Sequence, residues 1–138
     1  MSFLGKVKKK LRNGSWYPFY NTFYEKNNLD PHMILLESRS GKALESNILS
    51  LLKELCQEPY RSFTLVLSVH RDSENEIKEK LQKNSIQGVH FVRTGSVAYY
   101  HALSRAGYLV NDTSFPGRFI KKEGQIYLNT WHGTPLKK

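Results

Sequence analysis

The chain has 138 residues and a mass of 16.0 kDa, room for one domain with a real core, because a domain of that size buries roughly two-thirds of its unfolded surface. Hydrophobic residues make up 39%, aromatics 12% and charged residues 24%, which excludes a disordered chain and a membrane-spanning one. Net charge is +9, and Lys6, Lys8, Lys9, Lys10 and Arg12 supply about half of it in a segment without acids.

That segment comes first in the chain. In residues 2 to 12, Phe3, Leu4, Val7 and Leu11 recur at helical spacing with the lysines on the other side, a short basic amphipathic helix. Trp16, Tyr17, Phe19, Tyr20, Phe23 and Tyr24 follow, amphipathic rings of the kind that sit at a lipid headgroup boundary. Residues 1–30 therefore read as a membrane-surface segment in which Lys6, Lys8, Lys9, Lys10, Arg12 and Trp16 meet an anionic leaflet. The competing reading has the aromatics packing onto the domain and the lysines in solvent.

Pro31 closes this segment, and residues 31–138 read as the folded domain. Met33 to Leu36 is a continuous apolar run fit for a strand buried on both faces. Residues 46 to 56 carry helical apolar spacing, and Thr64 to Val69 is a second strand. Ser73 and Glu76 form a capping box for a helix to about Lys83, with Glu74–Lys78, Glu76–Lys80 and Glu79–Lys83 spaced for ion pairs. Val89 to Val92 is a third strand, Val97 to Ala106 a helix ended by Gly107, Tyr108 to Val110 a fourth strand and Ile126 to Asn129 a fifth. This alternation predicts an α/β fold, a Rossmann-like mostly parallel sheet with flanking helices. Thr134 and Pro135 then signal a helix start with too few residues to complete it, so the chain is expected to be the front part of a longer protein.

Cys56 lies on the apolar side of the first helix with Ile48, Leu52 and Leu55, which predicts a buried small hydrophobe. No Cys or His pair has zinc-ligand spacing, so no metal is expected. No apolar run approaches the roughly 20 residues of a membrane span, and no secretory h-region is present. The two sequons at Asn13 and Asn111 are accidental matches on that expectation.

Ligands of such sheets gather beyond the carboxyl ends of the strands. Here those ends open into Glu37 to Lys42, His70-Arg71, Arg93-Thr94, Asn111-Asp112-Thr113 and Thr130-Trp131-His132, a net cationic set suited to a phosphate-bearing ligand. Ser40-Gly41-Lys42 is not a Walker loop: Glu37 replaces its first glycine and Ala43 its magnesium-binding hydroxyl. Arg39 and Lys42 either meet a substrate phosphate or belong to a solvated loop. No G-x-G-x-x-G follows a strand, so no dinucleotide cofactor is expected. His32, His90 and His101 read as structural, and His70 is better placed at a strand end. His132 stands at a carboxyl strand end beside Gly133 and the Thr134-Pro135 helix start, whose amides favour an anion. With an ordinary pKa near 6.5, an imidazole there suits proton abstraction from a hydroxyl; local physics leaves equally open a histidine that caps the turn.

Tyr127 to Lys137, Y-L-N-T-W-H-G-T-P-L-K, resembles the signature segment of the CDP-glycerol glycerophosphotransferase family, the teichoic-acid polymerases and primases of bacterial envelopes. Asn111, Phe115-Pro116, Phe119, Lys121-Lys122 and Gly124-Gln125 resemble the approach to it, and weaker similarity reaches Glu37-Ser38 and Gly41. The resemblance implies the N-terminal half of a two-domain GT-B architecture. It implies His132 as the general base, with Thr130, Trp131, Gly133, Thr134 and Asn111 as substrate contacts, to which the loop reading adds Arg39 and Lys42. Its implied partners are a CDP-glycerol or CDP-ribitol donor, a lipid-linked glycerophosphate acceptor at the cytoplasmic face of the bacterial membrane, and a missing C-terminal domain or a partner chain that supplies it. It implies no cofactor.

Two other functions compete with this one. A non-catalytic module binding anionic membrane would rest on residues 2 to 24. Nucleic-acid binding rests on net charge alone, and the aromatics cluster in one segment instead of lining a basic sheet face, so no nucleic-acid partner is expected.

Overall fold

A computed structural model describes residues 28–113, 115 and 123–130. The basic amphipathic helix, the aromatic segment, and Trp131, His132, Gly133 and Thr134 lie outside the described residues. The strands are β1 (Asp30–Glu37), β2 (Thr64–Val69), β3 (His90–Arg93), β4 (Ala106–Asn111) and β5 (Ile126–Asn129), and the helices are α1 (Ser46–Leu55), α2 (Glu74–Lys83) and α3 (Val97–Arg105). Short 3₁₀ turns occupy Arg39–Gly41 and Glu58–Tyr60.

The five strands lie in the order β3-β2-β1-β4-β5, and all four pairings are parallel. Side chains alternate between two apolar layers, as strand geometry requires. Ile34, Leu36, Leu65, Leu67 and Val110 pack with Ile48 and Leu52 of α1 and Ile77 and Leu81 of α2. Leu35, Val66 and Leu109 pack with Tyr99, Tyr100, Ala102 and Leu103 of α3 on the opposite face. The face change follows from topology: β1 to β3 step outward one way, so the right-handed crossover through α3, which returns past β1 to β4, must take the other face.

Several elements differ in detail from the sequence reading. β1 starts at Asp30 and includes Pro31; with no N–H at the proline, its register against β4 slips between Asp30 and Ile34, where strands tolerate proline. α3 is not ended by a glycine cap. Ala106 (φ −61°, ψ 128°) passes directly into β4, and the buried Gln125 amide donates to the carbonyls of Leu103 and Ala106, both at 2.9 Å. Gly107 is needed for close approach instead, since a Cβ there would lie 2.8 Å from the Asp30 carbonyl oxygen and 3.0 Å from Pro31 Cα.

Ser73 is the N-cap of α2 but makes no side-chain capping bond. Of the three pairs expected on that helix, Lys78–Glu74 (3.2 Å) and Lys83–Glu79 (3.5 Å) form, while the Lys80 ammonium donates to the Leu44 carbonyl at 3.0 Å. Cys56 is the C-cap of α1 and is exposed. The apolar stripe of α1 ends at Leu55, which packs against the core directly before Cys56, and partial desolvation raises the Cys56 thiol pKa.

Candidate active site at the strand rim

β1 is the point where the chain reverses its direction of travel across the sheet. The crevice between the carboxyl ends of β1 and β4 is the ligand position of doubly wound sheets, and in this chain it is built from polar residues. A register row crosses the sheet through Ser68, Glu37, Asn111 and Asn129. Ser68, Glu37 and Asn111 are each no more than 1% exposed.

The Ser68 hydroxyl donates to Glu37 Oε1 at 3.0 Å and stands 2.7 Å from Thr94 Oγ1. With its one proton committed to the carboxylate, Ser68 receives the Thr94 proton. Burial raises the Glu37 pKa against the opposing effects of Tyr99 and Ser68, and the negative charge of Asp112 adds to the rise. The Tyr99 hydroxyl stands beside this carboxyl without reaching full hydrogen-bond geometry, and burial together with Glu37 pushes its pKa far up.

Above this layer, Asp112 ties β4 to the loop after β1. Its Oδ2 accepts from the Ser38 hydroxyl and its Oδ1 from the Arg39 amide, both at 2.8 Å. Ser38 Oγ in turn accepts from the Glu45 amide at 2.9 Å. The tie holds a costly backbone, since Arg39, Ser40 and Gly41 all have positive φ (50°, 56° and 82°) and a non-glycine residue there costs about 1–2 kcal/mol. Gly41 is buried against β2: its carbonyl accepts from the His70 amide at 2.7 Å, and a Cβ would overlap the Thr94 hydroxyl and lie 2.8 Å from His70 N.

The rim cations are more fully paired than their loops suggest singly. Arg39 meets Glu45 at 3.5 Å, Arg71 meets Asp72 at 3.8 Å and Arg93 meets Glu74 at 3.5 Å. His70 Nδ1 turns toward its own loop, accepting from the Asp72 amide at 3.2 Å. Lys42 is exposed and makes no ion pair with any described residue. Of the residues expected to contact substrate, Arg39, Lys42, Asn111 and Thr130 gather at the β1, β4 and β5 ends. Asn111 is 0% exposed, with its Oδ1 accepting from the Tyr127 hydroxyl at 2.7 Å. Among the described residues, no three His, Cys, Asp or Glu side chains group to hold a metal.

The buried Ser68 and Tyr99 were missed in the sequence, although one signal for them was there, and half-buried Thr94 was read only as part of the rim. A serine interrupts the run Leu65-Val66-Leu67-Ser68-Val69, and a glutamate ends Ile34-Leu35-Leu36-Glu37, both in strands sealed on two faces. A polar group in such a place must find a partner.

A parallel sheet in this order, with a polar crevice at its reversal point, defines a Rossmann-type domain. The family model for CDP-Glycerol:Poly(glycerophosphate) glycerophosphotransferase matches residues 19–138, and the chain belongs to that family. It is 31% identical over 119 residues to a teichoic acid poly(glycerol phosphate) polymerase of Staphylococcus epidermidis, covering 86% of this chain and 15% of that protein. It is 27% identical to a teichoic acid glycerol-phosphate transferase of Staphylococcus aureus, covering 96% of this chain and 32% of the other. A structure of a variant wall teichoic acid polymerase TagF soaked with CDPG superposes with a TM-score of 0.69 at 26% identity, over 98% of this chain and 33% of that one. The chain thus spans a third or less of these relatives.

Proposed function

We propose that this chain is the acceptor-side, N-terminal half of a GT-B glycerophosphotransferase. The reaction moves glycerol phosphate, or ribitol phosphate, from a CDP-alditol to a lipid-linked acceptor in the synthesis of teichoic acid or a capsule-like polymer. The single observation that carries this reading is the family match over residues 19–138, which includes His132, on a chain whose β5 ends at Asn129 beside the end of β4.

In the reaction, the His132 imidazole takes the proton of the acceptor's terminal hydroxyl. The oxygen attacks the alditol-bearing phosphorus of the CDP-alditol, the bond from that phosphorus to the bridging oxygen breaks, and CMP leaves as a phosphodiester forms. Lys42, which makes no ion pair with a described residue, and Arg39, from its strained loop, supply positive charge for an acceptor phosphate. Thr130, Trp131, Gly133 and Thr134 are assigned to substrate binding. The chain spans a third or less of its relatives, and the nucleotide side of the site comes from a C-terminal domain or a partner chain.

The basic N-terminal segment brings the enzyme to the cytoplasmic face of the membrane, where a lipid-carried acceptor is presented. No helix among the described residues is long and apolar enough to cross a bilayer, and surface attachment needs none. In a protein completed by its C-terminal domain, His132→Ala lowers turnover by roughly 10²- to 10⁴-fold. Near-normal turnover in that variant refutes the assignment.

A further inference from the structure

A carboxylate is out of place on a rim that receives phosphate, yet Asp112 stands just past the end of β4 against the Arg39–Gly41 turn. It is 1% exposed, too enclosed for a substrate group to touch. Both its oxygens are engaged by the loop after β1, Oδ2 by the Ser38 hydroxyl and Oδ1 by the Arg39 amide, each at 2.8 Å. Its influence on a ligand therefore passes through that loop.

The loop needs holding. Arg39 and Ser40 have φ of 50° and 56°, a left-handed backbone that residues with side chains adopt only at a cost. The far end of the turn is fixed by β2, where the Gly41 carbonyl accepts from the His70 amide at 2.7 Å. The near end is fixed by Asp112. The same tie sets the Arg39 guanidinium, because Ser38 Oγ accepts from the Glu45 amide at 2.9 Å and the Glu45 carboxylate meets Arg39 Nε at 3.5 Å. Lys42, exposed, closes the turn as its C-cap.

We propose that Asp112 is a positioning residue that locks the turn from Arg39 to Lys42 in the conformation presenting both cations to the acceptor phosphate. This rests on the reading of the turn as the phosphate contact. Charge and position act here in opposite directions. Loss of a nearby negative charge by itself strengthens anion binding, whereas a released turn that spends about a tenth of its time in the binding conformation holds the anion about tenfold more weakly.

The test is a titration of the 138-residue chain with inorganic phosphate at constant ionic strength, followed through the amide resonances of Arg39 to Lys42. Asp112→Asn keeps the side-chain shape but offers one oxygen where the carboxylate offers two, and its phosphate affinity is expected to fall about tenfold although a negative charge is gone. Gly88→Ala, at a strained glycine (φ +79°) before β3, is expected to keep the parent affinity. If Asp112→Asn does not fold, Ser38→Ala cuts one of the two bonds with the Asp112 charge in place, and an affinity loss of about fivefold is expected. Unchanged or tighter binding in the folded variant overturns the proposal, as does an equal loss in Gly88→Ala, and both results leave the phosphate contact standing. A parent whose Arg39 to Lys42 amides do not respond to phosphate, or a Lys42→Ala variant that binds as the parent does, overturns the phosphate reading of the turn and the proposal with it.

Discussion

Gly41 gives the sharpest test of how the rim is built. Gly41→Ala forces a Cβ onto a residue at φ +82°, where the new atom overlaps the Thr94 hydroxyl and comes within 2.8 Å of His70 N and 3.1 Å of the Val69 carbonyl carbon. The left-handed backbone costs about 1–2 kcal/mol for a residue with a side chain, and overpacking adds about 1–3 kcal/mol. The Thr94 hydroxyl cannot swing aside freely, because it is bound to Ser68, and the other two neighbours are main chain. Together these effects predict a loss of about 2–5 kcal/mol, a large part of the roughly 5–15 kcal/mol that holds a typical domain.

Gly88→Ala is the matched control, since Gly88 has φ +79° with nothing within 4 Å of a new Cβ. It should lose only the backbone share, about 1–2 kcal/mol. Urea unfolding followed by far-ultraviolet circular dichroism measures both, and gains in unfolded-state stiffness cancel between them. Equal losses in the two variants would show that the contact with β2 does not constrain the loop.

Other substitutions probe the layer beneath. Glu37 has a raised pKa in the folded state, so its contribution to stability is greatest below its ordinary value of 4.5 and is lost as pH rises through the elevated folded value. Glu37→Gln should therefore gain stability relative to the parent as pH climbs from 4 to 7, and a difference that stays flat across urea titrations in that range contradicts the assignment. Ser38→Ala strands both Asp112 Oδ2 and the Glu45 amide, and should cost about 1–3 kcal/mol in the same assay; a loss under about 0.5 kcal/mol would mean the tie between β1 and β4 is redundant. Replacing Lys8, Lys9 and Lys10 with Glu should abolish sedimentation with anionic liposomes at low salt, each cation contributing on the order of 1 kcal/mol. Unchanged sedimentation would remove the membrane role.

The order of strands and helices was legible because two periods alternate cleanly along the chain: short apolar runs such as Leu65 to Leu67, then four-residue spacings such as Ile48 with Leu52 and Ile77 with Leu81. The rim was legible as a place, because topology sends every strand's carboxyl end to one side. Its wiring was not. The Asp112 bonds to Ser38 and Arg39 join residues more than seventy positions apart, and no local pattern announces such a pair. Cys56 was misread because helical spacing continues in the letters for one position after the helix has stopped packing. Gly107 was misread because a glycine after a helix suggests a left-handed cap, when the pressure on it comes from Asp30 and Pro31 across the sheet. The cations of Arg39, Arg71 and Arg93 looked free because the acids that face them, Glu45, Asp72 and Glu74, belong to helix starts and turns that sequence treats as surface.

The middle position of β1 has a consequence for how the polypeptide assembles as it is made. The strand emerges early, and its pairing with β2 and the layer under α1 can close over a short stretch of chain. Its other edge waits for Ala106–Asn111, and until then Leu35 and the Glu37 carboxyl face an unfinished second layer. Long-range parallel pairing of this kind is slow and leaves sticky intermediates. A ribosome pausing between α2 and β4 would therefore hold out a half-built sheet with a hydrophobic flank bare, which is where a chaperone would have most to grip.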